Sequence, residues 1–227
     1  MASRPLLYYI TDRTQFPGDE LARRHALLEK IREAAFAGVD YIQLREKDLT
    51  ARRLQELAKD VVHVIRQGIP GSGKHAPATR LLINSRTDVA LAVGADGVHL
   101  RSDDLSPAEV RRIAQVFSTR NPKLQNRNFA AAVSCHSEEE VMTAAKQAAD
   151  FVVFAPVFEK VGVSGARAAG LDQLRRACVH RIPVFALGGV TIENAASCLA
   201  AGAAGLAGIR LFQQNSIGAI VMRLCRD

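Results

Sequence analysis

The chain has 227 residues, 48% of them apolar, so it can bury a sizeable core without help from disulfide bonds. Its formal charge of +7 favours anionic ligands. No apolar run approaches the roughly 20 residues of a membrane span, and three Tyr, nine Phe and no Trp offer few stacking platforms for single-stranded nucleic acid. We therefore expect neither a membrane nor a nucleic-acid partner.

The cysteines and the N-terminal residues both indicate a cytoplasmic protein. The four Cys residues show no C-x-x-C spacing and no paired framework, so we expect free thiols in a reducing compartment. The apolar run in MASRPLLYYITD is too short for a signal peptide.

Short apolar runs alternate along the chain with segments of helical period. The runs are rich in Val, Ile, Leu and Phe, as expected for strands that are covered on both faces. They lie at 6–12, 41–46, 81–85, 97–100, 129–135, 151–158, 183–189 and 205–211.

Helical period is clearest at 19–38, 52–67 and 106–117. Ser and Thr residues are the predicted N-caps of the helices, and Gly residues are the predicted ends. The N-cap candidates are Thr50, Ser106, Ser137 and Thr191, and the ends are Gly38, Gly94 and Gly202.

Eight strand–helix units follow from this alternation. Helix-length connections require parallel strands, and no Pro-rich or charged linker divides the units. The pattern predicts an α/β fold, a (β/α)8 TIM barrel with a closed parallel eight-stranded sheet. We expect a single domain over 1–227, with the barrel at about 6–212 and a closing helix at about 213–227. An open doubly wound sheet is the alternative, because periodicity alone does not show closure.

The segment GIPGSGKH at 68–75 is one residue short of a phosphate-binding P-loop. A working P-loop follows a strand and opens a helix, whereas this segment follows a predicted helix and precedes a strand. We interpret it as a surface loop on the barrel face opposite the active site.

Polar residues follow the second predicted strand, where a barrel places its active site. Alternation turns Gln43, Arg45 and Lys47 to one face, and this group suits a polyphosphate or a carboxylate. The alternative is that Arg45 and Lys47 pair with local carboxylates.

Gly188 and Gly189 lie between the seventh strand and a helix. Glycines let a ligand approach the backbone, and the loops after strands 7 and 8 of barrels commonly hold phosphate. The alternative is a tight turn in which the glycines serve geometry only.

Two further groups of polar residues have more than one possible role. Asp103 and Asp104 follow strand 4 and suit either a magnesium ion or the cap of the next helix. Ser134 and His136 leave strand 5 on the same side, where they can orient a substrate, move a proton or cap a helix.

Five blocks in this order resemble the thiamine phosphate synthase family, including its TenI-like thiazole tautomerase branch. The blocks are YIQLREK, LLINSRTDVALAVGADGVHL, VSCHSEEEV, FVVFAPVF and PVFALGGVTIENAASCLAAGAAGLAGI. The resemblance implies a TIM barrel that joins hydroxymethylpyrimidine diphosphate to thiazole phosphate, releasing pyrophosphate with the help of Mg²⁺.

The resemblance also assigns residues on the pyrimidine side of the reaction. Gln43, Arg45 and Lys47 resemble the residues that bind the pyrimidine diphosphate. Asn84 matches the family's Asn after strand 3, and Asp104 matches one magnesium ligand.

Residues of the second half of the barrel match as well. Ser134 resembles the serine that contacts pyrophosphate, and Gly188 and Gly189 resemble the thiazole-phosphate cradle. His136 lies near the position of a proton-transferring His in the tautomerase branch.

Four places in the chain depart from the family pattern. Arg101 and Ser102 replace the usual Gly-Gln after His-Leu. Ser85 replaces the family's second magnesium carboxylate. Lys160, Ser164 and Arg167 stand where the loop after strand 6 normally supplies Thr and Lys to phosphate, and Arg210 replaces a small Ser after strand 8. We expect Lys160 and Arg210 to bind substrate.

The sequence thus predicts a thiamine-pathway transferase with Lys47, Ser134 and His136 as catalytic residues and Asp104 as the metal ligand. A thiazole tautomerase and a non-catalytic barrel that binds a phosphorylated ligand are the alternatives. Phosphorylated small molecules are the expected partners, and a homodimer is compatible with the sequence.

Overall fold

The computed structural model describes residues 4–67, 79–121, 128–159 and 168–225. The P-loop-like segment at 68–75 and the predicted substrate residue Lys160 lie outside these ranges.

Eight parallel strands form a closed barrel in chain order, in which each strand pairs with the next and the last pairs with the first. The predicted TIM barrel is therefore confirmed, and closure rules out the open sheet. The strands are β1 Leu6–Ile10, β2 Tyr41–Leu44, β3 Arg80–Asn84, β4 Gly97–Leu100, β5 Ala130–Cys135, β6 Phe151–Phe154, β7 Val184–Ala186 and β8 Gly205–Gly208.

Helices surround this sheet, and a short 3-10 helix, Arg13–Gln15, follows β1. The α-helices of the described ranges are α1 Glu20–Ala37, α2 Ala51–Arg66, α3 Thr87–Val93, α4 Pro107–Thr119, α5 Glu138–Lys146, α6 Gly170–Cys178, α7 Ala195–Ala200, α8 Arg210–Gln213 and α9 Ile217–Cys225.

Side-chain oxygens cap three of these helices as the sequence predicted. Thr50, Ser106 and Ser137 accept backbone N–H groups at the starts of α2, α4 and α5, and Ser106 forms a reciprocal capping box with Glu109.

The prediction for Thr191 was wrong. Asn194 is the N-cap of α7, and its side-chain oxygen accepts the N–H of Thr191 at 2.8 Å. The turn from Thr191 to Asn194 therefore closes before the helix begins.

The alternation of the strands divides the apolar side chains into two layers. One layer lies inside the barrel, where the rings of Tyr8, Phe151 and Phe185 pack within 6 Å of one another. The other layer lies between the strands and the helices and includes Tyr9 and Cys135. The interior is thus filled by side chains below its rim.

Two short helices follow β8, and α9 lies within the range of about 213–227 in which a closing helix was predicted. α8 ends at Gln213, and α9 begins at Ile217, whose N–H donates to Glu33 of α1 at 2.7 Å. The buried side chains of Ile217 and Ile220 join the outer core. Across the described ranges, none of the helices has the length and apolar character needed to cross a membrane.

Candidate active site

All strands of the barrel run in parallel, so their carboxyl ends meet at one rim. Barrel closure is what brings the predicted site residues to this rim from six different strands. They are Gln43, Arg45 and Lys47 after or on β2, Asn84 at the end of β3, Asp104 after β4, Ser134 and His136 at β5, Gly188 and Gly189 after β7, and Arg210 after β8.

Arg45 is a half-buried cation at this rim. Its backbone N–H donates to the hydroxyl of Thr11 at 3.0 Å. Within the described ranges, its guanidinium has neither a hydrogen bond nor an ion pair. The alternative of local pairing therefore does not hold for Arg45, and its five N–H donors are available to an anion.

The neighbouring carboxylates pair with Arg13 instead. The guanidinium of Arg13, which is 4% exposed, donates to Glu46 at 3.1 Å and to both oxygens of Asp48 at 2.7 Å. The hydroxyl of Thr11 donates to Glu46 at 2.5 Å. These contacts tie the loop after β1 to the loop after β2 and hold the backbone on which Arg45 stands.

Gln43 and Lys47, both predicted to bind substrate, occupy different surroundings. Gln43 is 1% exposed, and its amide nitrogen donates to the hydroxyl of Tyr8 at 3.1 Å inside the barrel. Lys47 is exposed. Their binding roles stay predictions.

The loop after β4 is closed by its own residues. Asp104 accepts the backbone N–H of Arg101 at 2.8 Å and lies 3.3 Å from its guanidinium. Asp104 does not cap α4, because Ser106 does.

The β3 end supplies neutral oxygen atoms beside this loop. Asn84 pairs with His99 of β4 in the sheet, and its amide nitrogen lies 3.3 Å from the hydroxyl of Ser85. Ser85 has a φ of +58°, a conformation that favours Asn, Asp or Gly. In the described ranges, no three His, Cys, Asp or Glu side chains cluster as a metal site.

Ser134 lies on β5 and His136 follows this strand, and neither caps α5. The hydroxyl of Ser134 lies 2.8 Å from Nε2 of His99. Nδ1 of the exposed His136 lies 2.7 Å from the carbonyl oxygen of Ala155. A carbonyl oxygen only accepts, so Nδ1 of His136 carries the proton and the neutral ring keeps Nε2 as an acceptor.

Charged residues from two sides of the rim affect the pKa of the buried residue His99. Burial and, after it, the charge of Arg45 lower the pKa of His99 to about 3, and the charge of Asp104 opposes them. The side chain is 3% exposed. The residues after β2 and after β4 thus act on the same buried ring.

Gly188 and Gly189 adopt φ angles of +93° and +64°. A Cβ atom at Gly188 would lie 2.7 Å from Pro156, and one at Gly189 would lie 2.7 Å from Phe158. Packing against the loop after β6 is therefore sufficient to require glycine at both positions.

The backbone groups of these two glycines differ in their hydrogen bonds. The carbonyl oxygen of Gly188 accepts the N–H of Phe158, and that of Gly189 accepts the side chain of Asn194. In the part of the chain that the structure describes, no acceptor binds the N–H of either glycine. Two adjacent N–H groups without acceptors suit an anion.

Arg210 begins α8 and is exposed. It follows β8, which pairs with β7, the strand that precedes the glycine loop. The structure leaves its predicted contact with substrate open.

The sequence alone gave no functional signal for Tyr8, Thr11 or Arg13. Tyr8 lies in an apolar strand, and only its alternation with Ile10 signals that its polar tip enters the barrel. Arg13 and Glu46 are charged residues that are 3% and 5% exposed, and their burial becomes visible only when the two loops meet.

Comparisons with known proteins give a consistent result. A family model described as thiamine monophosphate synthase matches residues 7–212. The putative thiamine-phosphate synthase 2 of Aquifex aeolicus is 38% identical over 209 residues, which cover 92% of this chain and 97% of that protein. The putative thiamine-phosphate synthase of Geobacter sulfurreducens is 41% identical over 204 residues, covering 88% and 83%.

A solved structure agrees with these matches. The thiamine phosphate pyrophosphorylase of Pyrococcus furiosus superposes with a TM-score of 0.71 at 30% identity, covering 96% of this chain and 93% of that one. The family model spans nearly the whole barrel, including every rim residue described above, and these relatives cover 88% to 92% of the chain. The chain therefore belongs to the thiamine monophosphate synthase family.

Proposed function

We propose that this protein joins hydroxymethylpyrimidine diphosphate to thiazole phosphate and releases pyrophosphate, as a thiamine-phosphate synthase. The observation that carries the proposal is a pair of anion-binding features on one rim. Arg45 has a guanidinium without a partner in the described ranges, and the amides of Gly188 and Gly189 have no acceptor there. Two such features suit two phosphorylated substrates.

The reaction makes specific demands on these groups. The bond between the pyrimidine methylene carbon and the diphosphate oxygen breaks, and its electron pair leaves with pyrophosphate. The lone pair of the thiazole nitrogen then forms the new C–N bond, so no proton need be lost. The residues must therefore hold two anions in register and stabilise the negative charge of the leaving group.

The roles follow from position on the rim. Arg45 and Lys47, after β2, bind the diphosphate, with Asn84 and Ser134 beside it. The amides of Gly188 and Gly189 bind the thiazole phosphate, and Arg210, at the start of α8 after the adjacent strand β8, adds charge to that site. Lys160, which the structure does not describe, keeps its predicted role in binding substrate.

A magnesium ion fits this rim only together with the substrate. Mg²⁺ is commonly held by one or two carboxylates plus substrate phosphates, and Asp104 supplies one such carboxylate. Ser85 and Asn84 offer neutral oxygens nearby. When bound with the diphosphate, Mg²⁺ would neutralise the charge that builds up on pyrophosphate.

The test is to incubate purified protein with both substrates and magnesium and to measure pyrophosphate and thiamine phosphate. We expect both products in equal amounts, and a loss of about a hundredfold in kcat/KM for Arg45→Ala, about 2.7 kcal/mol of transition-state stabilisation. Arg52→Ala is the matched control, because Arg52 is 90% exposed on α2. Absence of both products would reject the proposal, and phosphate-ligand binding without turnover would indicate the non-catalytic barrel.

A thiazole tautomerase is the second candidate, and the geometry of His136 favours it. The bond from Nδ1 to the carbonyl of Ala155 fixes the ring with Nε2 as an acceptor, the form that a general base needs. Conversion of the tautomeric thiazole carboxylate phosphate would show this activity, and His136→Asn should abolish it. His25→Asn, an exposed position on α1, is the control. Unchanged turnover in His136→Asn would exclude this role.

The cysteines support a cytoplasmic location. All four are free thiols, and burial raises the pKa of Cys135 to about 12 and that of Cys178 to about 11. Free thiols persist most readily in a reducing compartment. Cell fractionation that finds the protein outside the cytoplasm would contradict this.

A further inference from the structure

Four polar side chains form a continuous hydrogen-bonded row inside the barrel, just below the rim. The amide nitrogen of Gln43 lies 3.1 Å from the hydroxyl of Tyr8, and that hydroxyl lies 3.1 Å from Nδ1 of His99. Nε2 of His99 lies 2.8 Å from the hydroxyl of Ser134. Tyr8, Gln43 and His99 are at most 3% exposed, and only Ser134 is partly exposed.

The direction of each hydrogen bond in this row follows from the first. The amide nitrogen of Gln43 only donates, so the hydroxyl oxygen of Tyr8 accepts from it. The single hydrogen of Tyr8 is then directed to His99, whose Nδ1 must accept it. The proton of the neutral imidazole therefore sits on Nε2 and is donated to the oxygen of Ser134.

The ring has no second proton with which to reverse this order. Burial, followed by the charge of Arg45, lowers the pKa of His99 to about 3, so the imidazole is neutral at physiological pH. Burial also raises the pKa of Tyr8, so its hydroxyl keeps its hydrogen. The row thus has one polarity, from Gln43 to Ser134.

We propose that Tyr8 and His99 are positioning residues that make Ser134 a one-way hydrogen-bond donor to a phosphoryl oxygen of the bound diphosphate. The oxygen of Ser134 is already occupied as an acceptor by His99, so its hydrogen is left for the ligand. A hydroxyl that accepts one bond donates the next more strongly. The same arrangement makes His99 unfit as a general base towards Ser134, because the nitrogen that faces the hydroxyl carries the proton.

This inference rests on the proposed function only for the identity of the anion, and its first test needs no turnover. The ¹⁵N chemical shifts of His99 in the free protein distinguish the two neutral tautomers and the imidazolium. We expect a protonated Nε2 and an unprotonated Nδ1 at pH 7. A proton on Nδ1, or on both nitrogens, would overturn the proposal whether or not the protein is a synthase.

The second test removes the hydroxyl hydrogen of Tyr8 and measures the affinity of the protein for an anion. Tyr8→Phe keeps the ring packing and releases Nδ1 of His99. We expect a mixture of tautomers and a roughly tenfold weaker affinity for inorganic pyrophosphate, because one hydrogen bond to a charged group is lost. The affinity for thiazole phosphate should not change.

Tyr9→Phe is the matched control. The hydroxyl of Tyr9 is buried in the outer core and, in the described part of the chain, has no hydrogen-bond partner. The Tyr9→Phe substitution makes the same chemical change one residue away from Tyr8. The affinity for pyrophosphate should stay at the wild-type value in this variant. Equal affinities in Tyr8→Phe, Tyr9→Phe and wild type would overturn the proposal. A synthase assay that fails while pyrophosphate affinity still depends on Tyr8 would count against the proposed reaction alone.

Discussion

Arg13 and Glu46 form a buried ion pair between the loops that follow β1 and β2, with 3.1 Å between Nη1 and Oε2. Their side chains are 4% and 1% exposed. The backbone N–H of Arg13 donates to the same carboxylate at 3.0 Å. This pair engages the carboxylate next to Arg45 and so leaves the guanidinium of Arg45 for an anion.

Because the carboxyl group of Glu46 is buried, we expect the stability of the protein to depend on pH. Burial raises the pKa of Glu46, against the opposing effect of Thr11 and Arg13. A carboxyl whose pKa rises on folding adds stability that is complete below its unfolded pKa, about 4.3, and is lost as the pH rises through the folded pKa. Glu46→Gln keeps the shape and removes the titration.

We therefore expect the stability of the wild type relative to Glu46→Gln to fall as the pH rises from about 4 towards neutrality. Urea unfolding at a series of pH values measures both proteins. A wild-type advantage that grows over this range would mean that pairing with Arg13 outweighs the cost of burial.

Thr11 predicts a coupling between stability and diphosphate binding. Its fully buried hydroxyl accepts the N–H of Arg45 and donates to Glu46. Thr11→Val keeps the shape but leaves both groups without this partner, so we expect a loss of about 2 kcal/mol in the free energy of unfolding. The KM for the pyrimidine diphosphate should rise because Arg45 shifts, whereas the KM for thiazole phosphate should not.

The control for Thr11 is Thr143→Val on α5, where the hydroxyl bonds to a carbonyl on an exposed face. That variant should change stability by no more than about 0.5 kcal/mol. If both variants lost the same free energy of unfolding, the buried hydrogen bonds of Thr11 would contribute no more to stability than the exposed one of Thr143.

Gly189 predicts a cost for any side chain at the glycine loop. Gly189→Ala combines a left-handed backbone, φ +64°, with a Cβ 2.7 Å from Phe158 and 2.8 Å from the carbonyl oxygen of Glu159. Gly38→Ala has the same kind of backbone, φ +82°, but no atom within 4 Å of its Cβ. We expect about 1 kcal/mol for the Gly38 variant and at least twice that for Gly189.

Urea unfolding compares the two glycine variants directly. Equal losses would show that the loop after β6 yields to the new Cβ. In that case packing would not explain why Gly189 is a glycine.

Substitution of Ser85 with aspartate should change how the activity depends on the magnesium concentration. Aspartate and asparagine both tolerate a φ of +58°, but only aspartate adds a second carboxylate near Asp104. We expect Ser85→Asp to lower the magnesium concentration that gives half-maximal activity by roughly tenfold, and Ser85→Asn to leave it unchanged. Magnesium titrations of pyrophosphate release measure this, and matching curves for the two variants would place the ion away from Ser85.

The fold was predictable because its signals are local. Strands buried on both faces appear as apolar runs, and helix starts carry their own capping residues, as at Thr50 and Ser106. The ends of the runs were less predictable. Val157 and Leu187 are apolar but lie beyond the strands, where the N–H of Val157 donates to the carbonyl of Leu187 in a contact between loops.

The position of Arg45 after β2 and the inward side of Ser134 on β5 were also predictable, because each follows from one strand and its alternation. The partners of these residues were not. His99 meets Ser134 from the neighbouring strand, while Tyr8 reaches His99 across the barrel from β1.

The sequence by itself determined the eight alternating strand–helix units and the residue types at the strand ends, because periodicity and caps act between residues close in the chain. Only the tertiary structure decided which charges are paired. Arg13 takes the carboxylates and Arg45 takes none in the described ranges, since that outcome depends on which loops closure brings together. It also decided the polarity of the row from Gln43 to Ser134, because hydrogen bonds between strands depend on register and on the exclusion of water.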